Sequence, residues 1–310
     1  MKIFLTGANG MVGKNILAHN KANKYQFFNP SKNELNLLSQ KNVYNYIEKN
    51  SFDLIIHCAG LVGGILENTQ NQDKFLIENF EIGKNVIQTA RELNVKNLIN
   101  LGSSCMYPKG INIPLKENIL LSGELEPTNE GYALAKIAIA KLCDFISNKY
   151  EGYNYKSIIP CNLYGKWDRF DLQRSHMIPA AISKIHNAKE KNEKFIEIWG
   201  DGTAFREFMY AEDLSDAIYH IIELGLNNLD NFTNIGLGYD YTIKEYYETI
   251  SKVIGFKGEF VYNLEKPVGM KRKLLDVSKQ KEFNWNAKTS LVDGIKKTYD
   301  FFLERHNIRN

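Results

Sequence analysis

The segment KIFLTGANGMVGK, residues 2–14, decides the fold. Lys2 to Thr6 is a short apolar stretch that predicts a β-strand, and Gly7, Gly10 and Gly13 follow it at regular spacing. In a strand–turn–helix unit, the first glycine permits a tight turn and the second lets the backbone approach a pyrophosphate. The third lets the helix pack against the strand. Because a helix N-terminus attracts negative charge, the segment predicts the phosphate-binding turn of a dinucleotide-binding fold.

Beyond this turn, short apolar runs alternate with stretches of helical periodicity. The predicted strands are Tyr25–Asn29, Leu54–Ile56, Asn97–Leu101 and Tyr155–Ile159, and the predicted helices are Met11–Asn20, Lys41–Asn50, Glu78–Leu93, Tyr132–Tyr150 and Met177–Ala188. This alternation is typical of a parallel sheet covered by helices on both faces. The predicted fold is therefore α/β, a doubly wound parallel Rossmann sheet with a smaller C-terminal α/β substrate lobe. We expect residues 1–165 to form the dinucleotide-binding domain and 166–310 the lobe, with the chain rejoining the sheet near 208–238.

The composition is that of an ordinary globular protein. The 310 residues are 44% hydrophobic and 24% charged, and a net charge of +3 spread along the chain does not indicate nucleic-acid binding. No run approaches the ~18 apolar residues of a membrane span, and the N-terminus lacks the apolar core of a signal peptide. The 4 cysteines lie far apart without a CxxC pair, which indicates a reducing cytoplasm and predicts neither disulfides nor a metal site.

Two downstream segments carry the predicted chemistry. Ser103 follows the strand Asn97–Leu101, and Tyr132 and Lys136 are spaced so that both side chains lie on one face of a helix. A nearby lysine cation is expected to lower the pKa of the phenol, so that Tyr132 can protonate a developing alkoxide. Ser103 can hydrogen-bond the same oxygen. Together with the glycine turn, these residues predict carbonyl reduction beside a bound nicotinamide.

The end of the second predicted strand bears on the choice of cofactor. An acidic residue there would hydrogen-bond the ribose 2′-hydroxyl of NAD, but this chain has Asn29-Pro30-Ser31-Lys32. No carboxylate repels a 2′-phosphate, and Lys32 can attract one. We therefore expect NADP (NADPH) rather than NAD, unless Lys32 is only a solvated loop lysine.

Further side chains are candidates for substrate binding. Arg206 and Arg272 can bind a diphosphate, because a guanidinium fork matches phosphate oxygens, although either arginine could instead form a structural salt bridge. Trp199 can stack on a nucleotide base or belong to the core.

The chain resembles the extended short-chain dehydrogenase/reductases that act on nucleotide sugars, and within them the GDP-L-fucose synthase branch. The resemblance covers nearly the whole chain. Besides the glycine turn and the Tyr132–Lys136 motif, it rests on residues 34–38, 62–65, 101–109, 125–130, 162–165, 175–180, 199–203, 206–208 and 272–276. The Ser103-Ser104-Cys105 and Ser175-His176 segments are specific to that branch.

The resemblance implies a role for each matching position. Ser103, Tyr132 and Lys136 match the reductase triad, and Cys105 and His176 match the acid/base pair that epimerises the sugar at C3 and C5. Chemically, a 4-keto group acidifies those hydrogens, and a thiol and an imidazole can exchange them. The alternative is a purely structural role for each residue: Cys105 could be a small buried hydrophobic residue, and His176 could be a residue at a helix start. The implied substrate site comprises Ser104, Cys105, Asn162, Lys184, Trp199, Arg206 and Arg272.

The predicted cofactor site joins the glycine turn to the ends of several strands. It comprises Gly7, Asn9, Gly10, Met11, Val12, Gly13, Lys32, Asn36, Leu37, Ala59, Gly60, Leu101, Gly102, Tyr132, Lys136, Pro160, Asn162, Leu163 and His176. Two departures weaken the NADP prediction, since the family usually has a basic residue at the position of Asn9 and often has arginine at that of Pro30.

The predicted enzyme reduces the C4 ketone of a GDP-linked 4-keto sugar for surface polysaccharide synthesis, with C3/C5 epimerisation. One alternative is a pure C4 reductase acting on another sugar, such as a GDP-4-keto-heptose. The alternative from another class is a catalytically inactive NADP-binding regulatory module, which the intact Ser103, Tyr132 and Lys136 set disfavours. We expect a cytoplasmic homodimer paired through the helices Glu78–Leu93 and Tyr132–Tyr150, as in relatives.

Overall fold

The computed structural model describes residues 1–111, 113–171, 175–266 and 269–306. Its strands are β1 (Lys2–Thr6), β2 (Gln26–Phe28), β3 (Leu54–His57), β4 (Asn97–Leu101), β5 (Asn154–Pro160), β6 (Asn162–Tyr164), β7 (Phe195–Trp199), β8 (Phe205–Arg206), β9 (Phe208–Tyr210), β10 (Phe232–Ile235), β11 (Tyr241–Thr242), β12 (Glu259–Asn263) and β13 (Arg272–Lys273). Its helices are α1 (Met11–Ala18), α2 (Gln40–Asn50), α3 (Ile65–Gln70), α4 (Gln72–Glu92), α5 (Glu130–Lys149), α6 (Met177–Glu190), α7 (Ala211–Leu224), α8 (Ile243–Ile254), α9 (Ser278–Glu282) and α10 (Leu291–Arg305).

The centre of the molecule is a six-stranded sheet in the order β10-β5-β4-β3-β1-β2, with every neighbouring pair parallel. Successive side chains of a strand point to opposite faces. On β1, Ile3 and Leu5 accordingly pack into one buried cluster and Phe4 into another, and both clusters are sealed by helices. Helices α4 and α5 pack together, as do α1 and α7. The prediction of a doubly wound α/β fold is confirmed.

Helix α4 starts earlier than the sequence pattern predicts, at Gln72 rather than Glu78. The residues at its start are polar and look like a loop. The Gln72 side chain, however, donates to the carbonyl of Pro127 and accepts from the backbone N–H of Gly131 at 2.6 Å. The first turn is therefore anchored by residues that are distant in the sequence, and periodicity does not reveal such contacts.

A third hydrophobic cluster lies in the C-terminal part of the chain, among α6, α8, α10, β7 and β12. Here β7 pairs in parallel with β12, and β8 lies between β11 and β13. The chain passes from β9, which pairs with β6, through α7 to β10 at the edge of the central sheet. The division into domains at residues 165 and 166 stays a prediction. Among the described helices, none combines the length and apolar character needed to cross a membrane.

Candidate active site

The turn between β1 and α1 is shaped to receive an anion. Gly7 has φ +72°, and a Cβ at this position would lie 2.7 Å from the backbone nitrogen of Ala59. A Cβ at Gly13 would lie 2.4 Å from the carbonyl oxygen of Gly7. The N-cap residue Gly10 offers no side chain to the first turn of α1, and that turn contains no acidic residue. The N-terminal N–H groups of α1 are therefore open to a phosphate, as a dinucleotide cofactor requires.

The ends of β3 and β4 meet the helix α5 next to this turn. Lys136, which is buried in α5, donates from Nζ to the carbonyl of Leu101 at 2.9 Å. A Cβ on Gly60 would lie 3.8 Å from the same Nζ. The backbone N–H of Ala59 donates to the Thr6 hydroxyl at 3.2 Å, which ties the end of β3 to β1. Residues that are far apart in the sequence thus form one edge of the sheet.

Tyr132 lies beside Lys136 and Ser103 at this edge. Lys136 Nζ is 5.8 Å from the centroid of the Tyr132 ring, and Phe75 packs edge-on against that ring at 6.3 Å. Burial raises the pKa of Tyr132, the nearby Cys105 raises it further, and a hydrogen bond with Ser103 opposes both. The expectation of a lowered pKa for this phenol is not met in this structure, because burial outweighs the neighbouring groups. The phenol is therefore held protonated, which is the form a proton donor needs.

Cys105 lies in the turn Ser104–Met106 that follows β4. The Ser103 hydroxyl accepts from the Cys105 backbone N–H at 3.3 Å, and the thiol is buried. Burial raises the pKa of the Cys105 thiol, while Lys273, the Ser103 hydrogen bond and Lys136 each lower it. The charges of the two lysines favour the thiolate, but burial outweighs them, so the pKa of this thiol is raised overall.

His176 is the N-cap residue of α6 and is exposed. The protein atoms packed around its ring nevertheless lower the pKa of the imidazole, so that it is neutral at neutral pH. Within the described ranges, no hydrogen bond or ion pair joins His176 to Cys105. Its place in the acid/base pair therefore stays a prediction.

The predicted nucleotide-binding side chains lie on four elements of the C-terminal part, α6, β7, β8 and β13. Lys184 in α6 donates to the carbonyl of Glu197 at 2.6 Å, and Trp199 at the end of β7 is 41% exposed with Lys266 over its ring at 5.6 Å. Arg206 is half-buried, and burial lowers the pKa of its guanidinium. Arg272 is held elsewhere, because its Nε and Nη2 donate to Asp240 at 2.7 and 2.8 Å. The structure does not bring Arg272 to Cys105, and its contact with substrate stays a prediction.

The remaining predicted cofactor residues line the same edge or the loop after β2. Lys32 and Asn36 are exposed in that loop, and the carbonyl of Leu37 accepts from Asn85 at 2.9 Å. Asn9 is exposed at the glycine turn, whereas Met11 and Val12 are half-buried in the first turn of α1. The others lie at strand ends: Gly102 after β4, Ser104 in the following turn, Pro160 ending β5, and Asn162 and Leu163 in β6.

Comparison with known proteins assigns the family. Residues 3–236 match the NAD dependent epimerase/dehydratase family. The chain belongs to this family. It is 53% identical to a GDP-L-colitose synthase from Yersinia pseudotuberculosis over 99% of both chains. It is 42% identical to a GDP-L-fucose synthase from Azorhizobium caulinodans, over 99% of this chain and 98% of the other. These relatives confirm the predicted resemblance to the GDP-L-fucose synthase branch.

A solved structure also matches over nearly its full length. A GDP-mannoheptose C4 reductase from Campylobacter jejuni with NADP bound superposes with a TM-score of 0.87 and 32% identity, and the match covers 97% of this chain and 98% of that one. This structural match therefore agrees with both the family assignment and the Rossmann fold.

The sequence did not predict two buried residues whose hydrogen bonds join distant segments of the chain near the site. Glu207 is fully buried, and its carboxylate accepts from the backbone N–H groups of Leu237, Gly238 and Leu275 at 2.6, 2.9 and 3.0 Å. Burial raises the pKa of Glu207 to about 7, against the effect of these donors. The feature of the sequence that could have indicated Glu207 is an acidic residue between two strand segments, β8 and β9.

Asn234 is the other buried residue, at the sheet's edge in β10. Its side chain accepts from the Tyr107 hydroxyl at 2.6 Å and donates to the carbonyls of Leu115 and Asp276, each at 2.9 Å. It thereby connects the Cys105 turn to the C-terminal segment. Within the part of the chain that the structure describes, no group of three or more His, Cys, Asp or Glu side chains is placed to hold a metal ion.

Proposed function

We propose that this protein is an NADPH-dependent oxidoreductase that reduces the C4 ketone of a GDP-linked 4-keto sugar and epimerises C3 and C5. The observation that carries the proposal is the convergence of Ser103, Tyr132, Lys136 and Cys105 at one edge of the sheet. A GDP-sugar substrate is supported by the similarity of nearly the whole chain to a GDP-L-colitose synthase and a GDP-L-fucose synthase.

The residues at the turn after β1 fit a dinucleotide. Gly7 and Gly13 leave no room for a Cβ, and the first turn of α1 offers uncapped N–H groups. When bound, NADPH supplies the hydride that reduces the carbonyl carbon. The phosphate form is supported by the NADP of the Campylobacter reductase and by Lys32, which is exposed in the loop after β2.

The triad handles the oxygen of the ketone. Ser103 hydrogen-bonds this oxygen and orients the carbonyl, and Tyr132 donates its phenolic proton as negative charge develops. The raised pKa of Tyr132 keeps that proton in place until the transfer. Lys136, anchored on the Leu101 carbonyl, presents its positive charge beside the phenol and stabilises the phenolate that remains.

Cys105 and His176 handle the carbon-bound protons. A ketone at C4 acidifies the hydrogens on C3 and C5, and inversion needs a base on one face of the sugar and an acid on the other. Cys105 lies beside Ser103 and Tyr132, so that its thiolate can act while the triad holds the enolate oxygen. His176 is the proposed partner that delivers a proton.

The remaining polar side chains form the proposed nucleotide and diphosphate site. Arg206 is half-buried, Lys184 is fixed on the Glu197 carbonyl, and Trp199 offers an exposed ring to a base. Apart from residues near 208–238, where the chain rejoins the central sheet, the part from residue 166 is the proposed substrate lobe, with its own hydrophobic cluster.

We further propose a homodimer that works in the cytoplasm. Helices α4 and α5 carry apolar side chains that are exposed, with Ile77 at 59% and Phe145 at 60%. A groove of about 530 Å³ runs between these helices and includes Phe80 and Leu142. Burying such a surface against a second copy of the chain removes apolar area from water.

Two alternatives remain for the proposal to exclude. The first is a pure C4 reductase, which is favoured by the similarity to the GDP-mannoheptose C4 reductase. The second is an inactive NADP-binding regulatory module, and the intact triad is the observation against it.

The experiment that tests the proposal is incubation with several GDP-4-keto sugars and NADPH in D2O, followed by absorbance at the nicotinamide band and by NMR of the product. An epimerase/reductase incorporates deuterium at C3 and C5, because the enolate is reprotonated by an exchangeable acid. A substrate without a C3 hydroxyl has no stereocentre at C3, so only C5 would be inverted.

Variants separate the two halves of the reaction. Cys105→Ser should suppress deuterium incorporation far more than it slows reduction of an already epimerised ketone, and His176→Asn should do likewise. Cys143→Ala, at a core position in α5, is the matched control and should retain exchange. Reduction without deuterium at either carbon would mean that the protein is a pure C4 reductase. Absence of any turnover with NADPH would favour the inactive module.

A further inference from the structure

The two residues of β13 face opposite directions. This strand pairs in parallel with β8, with Arg272 opposite Phe205 and Lys273 opposite Arg206. Since neighbouring side chains of a strand alternate, Arg272 and Lys273 cannot serve the same surface. Arg272 is exposed, is bound to Asp240, and lies over the Phe205 ring at 4.9 Å. Lys273 is the half-buried residue of the pair.

Lys273 lies within a cluster of charged and titratable groups. Burial lowers the pKa of its ammonium, Cys105 and Glu126 raise it, and Arg206 lowers it further. Among residues 1–111, 113–171, 175–266 and 269–306, no hydrogen bond or ion pair engages its Nζ. Glu126, the carboxylate in this cluster, instead accepts from the Thr128 hydroxyl at 3.3 Å. The charge of Lys273 is therefore left to act on the thiol.

Several neighbouring groups change the pKa of the Cys105 thiol in opposite directions. Burial raises the pKa of the thiol, and Lys273 lowers it most, ahead of the Ser103 hydrogen bond and the charge of Lys136. Lys136 is committed to the Leu101 carbonyl and lies close to Tyr132 and Cys58 as well. The lysine of the reductase triad is thus engaged by a backbone carbonyl, whereas the Nζ of Lys273 has no such partner among the described residues.

Hydrogen bonds fix the backbone that follows β13, and this limits the positions that the Lys273 side chain can occupy. The N–H of Leu275 donates to Glu207, and the N–H of Leu115 donates to the carbonyl of Leu274 at 2.8 Å. The N–H of Asp276 returns a bond to the carbonyl of Leu115 at 2.9 Å. The segment after Lys273 is also fixed next to the Cys105 turn, because Asn234 accepts from the Tyr107 hydroxyl and donates to the Asp276 carbonyl, and Leu275 belongs to the same buried cluster as Cys105.

We propose that Lys273 is the positioning residue that stabilises the thiolate of Cys105, so that Cys105 can remove a proton from the carbon next to the ketone. The inference rests on the proposed function and deepens it. In the step, the C–H bond breaks, an S–H bond forms, and the electron pair moves into the enolate, whose oxygen is held by Ser103 and Tyr132. Lys273 keeps all its protons and acts through its charge.

The test measures the reactivity of Cys105 directly. The folded protein is treated with methyl methanethiosulfonate over a range of pH, and mass spectrometry follows modification of the peptide that contains Cys105. Because the thiolate is the reactive form, the rate profile reports the pKa of this thiol. Lys273→Gln should raise that pKa by about one unit or more, since an opposite charge within a few ångströms shifts a pKa by roughly 1–3 units. Lys273→Arg should restore most of the shift.

The neighbouring residue supplies the matched control. Arg272→Gln removes a cation from the same strand but from its other face, and should leave the Cys105 profile unchanged. Circular dichroism and cofactor binding establish that each variant is folded, and Lys273→Met serves if Lys273→Gln is not. An unchanged Cys105 pKa in a folded Lys273→Gln or Lys273→Met variant overturns the proposal, as does an equal shift in Arg272→Gln.

The test of Lys273 can be distinguished from the test of the proposed epimerase activity. In D2O, Lys273→Gln should slow deuterium incorporation near neutral pH by about the same factor, roughly tenfold for one pKa unit, and the loss should shrink as the pH rises. If Cys105→Ser leaves deuterium incorporation intact, the epimerase part of the proposed function fails. A pKa shift in Lys273→Gln would still establish the electrostatic link to Cys105.

Discussion

Replacing Glu207 by alanine should be among the most damaging single changes in this protein. The carboxylate is fully buried and accepts from three backbone N–H groups, those of Leu237, Gly238 and Leu275. A buried donor that loses its partner costs ~1–3 kcal/mol, so three of them predict a loss of at least ~3 kcal/mol in the free energy of unfolding. The cavity left by the side chain adds to this loss.

A graded series of variants makes the reasoning testable. Glu207→Gln keeps one oxygen for Leu237 and Gly238 but turns an amide toward the N–H of Leu275, so it should lose roughly one such bond, ~1–3 kcal/mol. Glu212→Ala is the control, because that carboxylate is exposed and its ion pair with Lys297 at 3.7 Å is worth about 0–1 kcal/mol. The assay is equilibrium unfolding in urea at about pH 8, where a group with a pKa of about 7 is ionised. A loss below about 1 kcal/mol in Glu207→Ala, or equal losses in both Glu207 variants, would refute the reasoning.

Three further predictions address the site and the core. Tyr132→Phe should bind NADPH nearly as well as the parent but reduce a 4-keto sugar roughly 10²–10⁴-fold more slowly, as stopped-flow absorbance would measure; near-normal turnover contradicts the triad mechanism. NADPH should give a higher kcat/KM than NADH, and the ratio of the two values should fall in Lys32→Ala. A higher kcat/KM with NADH would contradict the prediction of NADPH as the cofactor. Burial raises the pKa of Asp168 to about 7, so its stabilising contribution is complete below the ordinary value of 3.8 and is lost as the pH rises through 7. Relative to Asp168→Asn, the parent should lose up to ~4 kcal/mol of unfolding free energy between about pH 4 and pH 8, whereas parallel pH curves would contradict this.

Much of the fold was predictable because it depends on local patterns. The strand Lys2–Thr6 and the strand Asn97–Leu101 have the bounds that their apolar runs predict. The turn between β1 and α1 follows from glycines whose backbone lies too close to its neighbours for a side chain. Tyr132 and Lys136 share a face of α5 because helical geometry places residues of that spacing together.

The tertiary structure decided which side chains work together and in what electrostatic state. Arg272 and Lys273 are adjacent cations in the sequence, and only the pairing of β13 with β8 leaves one exposed on Asp240 and the other half-buried on the opposite face. The pKa of Tyr132 rises because burial outweighs the neighbouring charge, and Glu207 is buried because three distant N–H groups converge on it. Periodicity and spacing are local properties of the chain, so the sequence alone determined the sheet, the glycine turn and the triad. Burial and charge depend on residues brought together from far along the chain, so those features required the folded molecule.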